Sequence, residues 1–313
     1  MKFKNKSISS SKDLITRHEQ TRKGFLEFAL HKNALATPYV DRANVLMQDL
    51  KTIDSPNEII NLENSRSALI TAAGISKKAS KYLNAQDLND ALKQLINKHL
   101  APAGENFREE AVYRFLLTKG DALGGQMRNL VGRIAQGRLV QRISSVLENM
   151  GNSPYFFSNT SKTWSTDISD FEDVKAMYWI YNNHEYVLGF NLNIPKIGKN
   201  IDINLFQGNK EKYLKELTQD ENALMMCGEL KGGIDPAGAD EHWKTGNSSL
   251  QRDRDAFKNN ILTSFVGAAI EKSMADEIYS QLQSGILSNA ANLYKEDQLT
   301  TYSTWLIKGC RYD

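Results

Sequence analysis

The stretch from Ala223 to Pro236 constrains this chain more than any other. Ala223 to Leu230 is a short apolar run of the length and composition of a buried strand. It ends on two charges, Glu229 and Lys231, with one residue between them. Gly232-Gly233 follows, and then Asp235-Pro236, an N-cap residue and a proline suited to a first helical turn. The order strand, tight turn, helix is therefore written into about thirty residues, and it predicts an α/β core.

Alternation along a strand sorts its side chains onto two faces. Leu224, Met226, Gly228 and Leu230 share one face; Met225, Cys227, Glu229 and Lys231 share the other. Glu229 and Lys231 thus project together, with Cα atoms about 6.5–7 Å apart. Upstream, Ile201 to Phe206 also alternates and sets Asp202 opposite Ile201, Ile203 and Leu205. If the two strands are neighbours, Asp202 and Glu229 converge on one point. Charges at the end of an apolar strand are expensive without a task. Two hard oxygen ligands suit Mg²⁺, which keeps several waters and bridges to phosphate. Lys231 would then polarise a water and stabilise developing charge. His242, thirteen residues past Glu229 and early on the following helix, has the chemistry of a general base or proton shuttle, although a lone histidine there is more often one on a helix face. The helix start places a positive terminus beside these groups. Together they are the kit of a metal-dependent phosphodiesterase. Asp173-Val174-Lys175 has the same spacing and reads as a solvated turn.

The rest of the chain divides in texture near residue 150. Residues 10–150 read as helical, with apolar residues at three- and four-residue spacing through Leu14-Ile15, Phe25-Leu26, Phe28 to Leu30 and Val45-Leu46. Asp87 is placed to cap a helix running to His99-Leu100, and Pro102 to Gly104 breaks it. Gly120, Gly124 and Gly125 interrupt the next helical pattern, with a further helix expected up to Met150. Beyond that, Tyr155 to Phe157, Met177 to Tyr181, Tyr186 to Phe190 and Ile201 to Phe206 read as strands, with Asn182-Asn183-His184 as a hairpin turn. A helix is expected from Pro236 to Asn259, a strand over Ile261 to Ile270, and closing helices over Ser273 to Gln283 and Ser288 to Trp305. The expected domains are 1–150, helical, and 151–313, catalytic.

Bulk properties narrow the function classes. The chain has 313 residues, 24% charged and 41% hydrophobic, and a net charge of +2, so any nucleic-acid surface must come from local segregation of charge. Two cysteines, Cys227 and Cys310, lack metal-site spacing and suggest no disulfide framework. The start, Met1 to Lys6, lacks the apolar core of a signal peptide, and no run approaches the ~20 apolar residues of a membrane span. A cytoplasmic, prokaryotic protein without a membrane partner is expected.

The segment Gly228-Glu-Leu-Lys-Gly-Gly-Ile-Asp-Pro-Ala-Gly-Ala-Asp-Glu-His-Trp-Lys-Thr245 resembles the catalytic segment of AvaI/BsoBI-type type II restriction endonucleases. Ala36-Thr-Pro38, Leu69 to Gly74, Tyr113 to Asp121 and Gly124 to Leu130 resemble the same family, so the likeness covers most of the chain. The resemblance implies a PD-(D/E)xK core joined to a helical domain that embraces DNA and makes dimer contacts. It implies a homodimer on double-stranded DNA, and Mg²⁺-dependent cleavage of a palindromic, partly degenerate site, C-pyrimidine-C-G-purine-G. By matching segments it makes Asp202, Glu229 and Lys231 the catalytic core, His242 the base, and Asp202, Glu229 and Leu230 the metal ligands. Lys199, Asp235 and Glu241 fall where the family has further site or DNA-contacting residues. Gly198-Lys199-Asn200 precedes Ile201-Asp202, so the proline of the motif's first half is missing.

Lys119 to Arg142 holds Lys119, Arg128, Arg133, Arg138 and Arg142 against one acid, Asp121, with glycines at 120, 124, 125, 132 and 137. This reads as a surface for a phosphate backbone or as a solvated helix face. Lys77-Lys78 and Lys81, after Gly74, form a second basic cluster at a helix start, which the resemblance favours as a contact to bases or phosphates, and Asp235 has the chemistry to accept from a cytosine amine. Two other readings stay open: a PD-(D/E)xK nuclease of repair or recombination with another target, and a non-catalytic DNA-binding protein.

Overall fold

The computed structural model describes residues 5–213, 215–258 and 260–312, and gives no account of the Arg128 side chain. In chain order the elements are α1 (His18–Leu50), α2 (Arg66–Ala72), α3 (Ala85–Leu95), α4 (Phe107–Asn149), β1 (Tyr155–Ser158), β2 (Trp164–Ser165), β3 (Val174–Tyr181), β4 (His184–Ile194), β5 (Lys199–Gln207), β6 (Leu224–Lys231), α5 (Ala239–Ala256), β7 (Leu262–Gly267), α6 (Lys272–Ser284), β8 (Asn289–Asn292) and α7 (Glu296–Ile307). The mixed α/β class is as expected. So is the change from helix to strand near residue 150, where α4 gives way to β1. The chain forms two compact units, Glu27–Asn129 and Met1–Leu26 with Leu130–Asp313. They part inside α1 and α4, each of which runs through the division as one helix.

Unit 27–129 is all helical. Its core joins Leu46 and Leu50 of α1, Leu69 of α2, Leu92 and Leu95 of α3 and Phe115 of α4. α3 carries a capping box: Asp87 N–H donates to Asn84 Oδ1 (3.0 Å) and Asn84 N–H to Asp87 Oδ2 (2.9 Å). Asn84 is therefore the N-cap, and Asp87 is the reciprocal acid three residues on. A single turn of π-helix, Ile96–Leu100, continues α3 to the expected end.

The other unit is built on one eight-stranded sheet, ordered β2-β1-β3-β4-β5-β6-β7-β8. Neighbours are antiparallel from β2 to β6, and β6, β7 and β8 are parallel. The β3–β4 hairpin closes on Tyr181 opposite His184, and both turn residues, Asn182 and Asn183, have positive φ (48° and 63°). That is the geometry asparagine tolerates in a two-residue loop, and it puts His184 in the strand. One face of the sheet is covered by Leu139, Ile143 and Leu147 of α4 with Tyr302, Trp305 and Leu306 of α7. The other is covered by Trp243 and Leu250 of α5 with Met274, Ile278 and Leu282 of α6. Covered faces suit the parallel end. Among the described residues no helix is long and apolar enough to cross a membrane.

Three further expectations fail locally. α4 is a single helix of 43 residues, and Gly120, Gly124 and Gly125 do not break it. A helical glycine costs about 1 kcal/mol against alanine, which packing on both sides outweighs. The closing segment does not begin as helix: Asn289–Asn292 is β8, parallel to β7 with Ser264 opposite Asn289. The helix expected to start at Pro236 begins as a short 3₁₀ turn, Pro236–Gly238, before α5; Asn259 lies outside the described residues.

The amino-terminal segment docks on the β8 end by polar bonds that hydrophobic spacing does not reveal. Asn292 Nδ2 donates to Leu14 O (2.9 Å) and Thr16 Oγ1 (2.7 Å), and Thr16 Oγ1 donates to Ala268 O (2.8 Å). Asn5 Nδ2 donates to Asn289 Oδ1 (3.2 Å).

α7 ends at Gly309 in the left-handed region (φ 65°), where its N–H reaches Leu306 O (3.0 Å) and the next N–H reaches Trp305 O (2.8 Å). A methyl group there would lie 2.8 Å from Tyr186 Cζ. Gly309→Ala is therefore expected to destabilise the protein by about 2–4 kcal/mol, from backbone strain plus overpacking. Urea unfolding checks this, and an unchanged midpoint would contradict it.

Candidate active site

Asp202 and Glu229 meet where two strands part. The β5–β6 ladder is antiparallel and its last pair is Ile203 opposite Gly228. One step further, in the same register, Asp202 would face Glu229. There the backbone bond is replaced by a side chain: Leu230 N–H donates to Asp202 Oδ2 (3.0 Å). A strand residue sends its N–H and C=O to the same edge, so the Leu230 carbonyl also faces this gap. Lys231 Nζ donates to Glu229 Oε1, and the two form an ion pair. The expected face-sharing of Glu229 and Lys231, and the neighbouring position of Asp202, are both present.

The electrostatics are those of a site short of positive charge. Glu229 is 7% exposed. Burial, and then the nearby Asp202 carboxylate, push its pKa up to about 7 against the pull of Lys231. Burial also raises Asp202, against the Leu230 N–H and the Lys231 charge. A third acid, Asp253 of α5, is 1% exposed, and burial raises it to about 6, with Asp202 adding to the shift. Its Oδ1 has no hydrogen-bond partner but lies 3.9 Å from Arg252 Nη2, and the Arg252 and Arg254 charges oppose the shift. A divalent cation would relieve this repulsion, and oxygen donors are the right chemistry for a hard one. Among the described residues no group of three or more His, Cys, Asp or Glu side chains is placed to hold a metal. The fitting donors are thus the Asp202 and Glu229 carboxylates with the Leu230 backbone carbonyl.

The turn after Lys231 is shaped by close approach. Neither Gly232 nor Gly233 has positive φ. A Cβ on Gly232 would lie 2.5 Å from Val131 O and 2.6 Å from Ala135 Cβ of α4, so the strand exit is seated directly on that helix. Asp235 Oδ1 accepts from Ala237 N–H (3.0 Å) and caps the 3₁₀ turn. α5 is then fixed in rotation by Trp243, which is fully buried, lies edge-on to Phe265 at 5.0 Å and donates Nε1–H to Glu277 Oε2 (2.6 Å). The preceding residue, His242, is therefore turned outward and exposed. Its ring lies over the loop, 3.8 Å and 3.4 Å from where Cβ atoms on Gly233 and Gly238 would sit.

The basic and acidic residues expected to contact DNA are spread over both units. Lys77 and Lys81 are exposed in unit 27–129, after α2. Lys119, also there, holds its ammonium over the rings of Tyr39 (5.5 Å) and Phe115 (5.7 Å). The Arg128 side chain lies outside the described residues. Lys199, Asp235 and Glu241 are exposed in the unit that holds Asp202 and Glu229. Of the α4 arginines, Arg133 is exposed, Arg138 lies over Tyr294 (4.2 Å to the ring centre), and Arg142 pairs with Glu296.

The family described as restriction endonuclease BsobI matches residues 4–309. The chain belongs to this family. It is 44% identical over 308 residues to the type II restriction enzyme AvaI of Nostoc sp. and to that of Anabaena variabilis, covering 96% of this chain and 98% of each relative. It is 42% identical over 312 residues to the type II restriction enzyme BsoBI of Geobacillus stearothermophilus, covering 96% of both. Two features of this BsoBI-family chain escape a reading of its catalytic segment alone. The inward stripe Trp243, Gly246, Leu250, Asp253 signals a buried acid and a helical glycine, because both stand at core spacing on α5.

The raised Glu229 carboxyl makes stability depend on pH. The folded protein holds this proton more tightly than the unfolded chain, so its ionisation favours unfolding as pH rises from 4.5 through about 7. Without divalent ions, Glu229→Gln should therefore gain on the order of 1–3 kcal/mol over wild type at about pH 8, and much less at about pH 4. Denaturant unfolding at both pH values measures this, and a pH-independent difference would refute the raised, buried carboxyl.

Proposed function

We propose that this protein is a type II site-specific deoxyribonuclease, as its relatives are named, and that Asp202, Glu229, Lys231 and His242 form its active site. The supporting observation is the meeting of Asp202, Glu229 and Lys231 at the open end of the β5–β6 ladder, in a chain of the BsoBI family. The core is then of the PD-(D/E)xK type, and the helical part of residues 1–150 serves to embrace DNA and to form a homodimer. We assign Mg²⁺ as cofactor, with Asp202, Glu229 and the Leu230 carbonyl as its ligands. When bound, the cation supplies Lewis-acid polarisation of the scissile phosphate and acidifies a water.

The chain's own groups do the rest. The Lys231 ammonium, paired with Glu229 in this structure, would face the phosphate and stabilise charge developing on its oxygens. His242, exposed at the rim, takes the proton from the attacking water as the water oxygen bonds to phosphorus; the bond from phosphorus to the leaving sugar oxygen breaks, and that oxygen takes a proton from solvent. Lys77, Lys81, Lys119, Arg128 and Lys199 neutralise backbone phosphates, which fixes register without reading sequence. Asp235 and Glu241 present acceptors to base amines. A twofold dimer matches a palindrome, and the family likeness favours C-pyrimidine-C-G-purine-G. The protein acts in a bacterial cytoplasm.

Digestion of mixed-sequence plasmid with Mg²⁺ should give discrete fragments whose sequenced ends share one motif, and EDTA should abolish cutting. A smear would favour a repair-type nuclease, and binding without hydrolysis a non-catalytic protein. Glu229→Ala and Lys231→Ala should each lower cleavage by at least about 100-fold in a folded protein, while His242→Ala should slow it by about 100-fold or more with DNA binding kept. Near-wild-type cutting by any of the three would remove that residue from the site.

A further inference from the structure

α5 runs for eighteen residues, and its sheet-facing stripe is Ala239, Trp243, Gly246, Leu250, Asp253. Gly246 is buried in the middle of that stripe, at the one level where the helix crosses Glu229 and Lys231. Glycine is the least favourable helix-interior residue after proline, and nothing in the backbone requires it here, because its φ is helical. What requires it is its neighbours. A Cβ on Gly246 would lie 3.1 Å from Glu229 Cγ, 3.6 Å from Lys231 Cε and 3.6 Å from Phe265 Cε2. The last two distances are ordinary contact. The first is closer than carbon atoms sit at rest, and that carbon belongs to the carboxylate side chain at the heart of the proposed site.

The neighbours leave little room for adjustment. Phe265 lies opposite Glu229 on β7 and is held edge-on by Trp243 of the same helix, with both rings fully buried. On the β5 side stands Asp202, anchored by the Leu230 N–H. Lys231 holds the carboxylate head itself. A methyl at position 246 therefore has to move Glu229 along the strand surface or lift the helix that carries His242.

We propose that Gly246 is a positioning residue. By lacking a side chain it lets α5 lie close enough to β6 to set Glu229 and Lys231 at their working height, at a cost in helix stability. The proposal deepens the nuclease reading and rests on it for the catalytic consequence.

The test is Gly246→Ala in the full-length protein. Thermal melting should show a folded variant with a midpoint close to that of wild type, because the gain in helix propensity offsets the cost of the tight contact. Binding to the plasmid fragments that wild type cuts, assayed in EDTA, should be unchanged. Single-turnover cleavage should fall by about tenfold or more, since sub-ångström misplacement of reacting groups is enough for that. Ser248→Ala, on the exposed side of the same helix, should cut like wild type and separates a general change in α5 from a change at this contact. Crystal structures of wild type and Gly246→Ala should differ by a few tenths of an ångström at Glu229 Cγ or in the height of α5. Wild-type cleavage by Gly246→Ala, or an unmoved Glu229 and α5, overturns the proposal. If wild type itself cuts no DNA with Mg²⁺, the nuclease reading falls, and the crystallographic comparison alone decides whether Gly246 sets the position of Glu229.

Discussion

Two carboxylates brought out of water side by side, with one ammonium paired to Glu229, set the terms for this protein. Asp202 and Glu229 repel each other, and burial makes the repulsion expensive. The fold supports that arrangement from every side. β5 and β6 part at this level, so a backbone N–H is available to hold Asp202. The parallel end of the sheet, covered on both faces, gives Glu229 a rigid floor. Gly232 and Gly246 let α4 and α5 approach the strand end without displacing it. An arrangement unfavourable in isolation is what a binding site for a cation on a phosphate requires, because the ligand supplies the missing charge.

Much of this was legible in the sequence because it follows from periods. Alternation along Met225 to Lys231 put Glu229 and Lys231 on one face, and the same rule placed Asp202. The asparagine pair at 182–183 marked its hairpin because few other residues accept positive φ twice in succession. His242 and Trp243 were legible only as neighbours; which of them faces inward needed the packing against Phe265.

The rest was hidden where tertiary contacts outweigh local preference. Asn289–Asn292 carries no β-branched or aromatic residue and becomes a strand because β7 offers it an edge. The glycines of α4 read as breaks because propensity counts each residue alone, while a long helix anchored by packed residues toward its two ends absorbs them. Asn84 took the cap from Asp87 because a capping box needs both residues, and either can be mistaken for the first. Asp253 and Gly246 stand at core spacing on α5, so periodicity locates them, but their meaning depends on what the sheet presents beneath.

The amino-terminal strap along β8 has a further consequence, for the order in which a ribosome releases the parts. Asn5, Leu14 and Thr16 find their partners in Asn289, Asn292 and Ala268, 252 to 284 residues further along the chain. Residues 27–129 are complete in themselves and leave the exit tunnel whole while those partners are still untranslated. The inserted helical part therefore has the means to fold first. The sheet unit takes up its amino-terminal strap only after β8 has been made, so a chain stopped before Asn289 lacks those bonds.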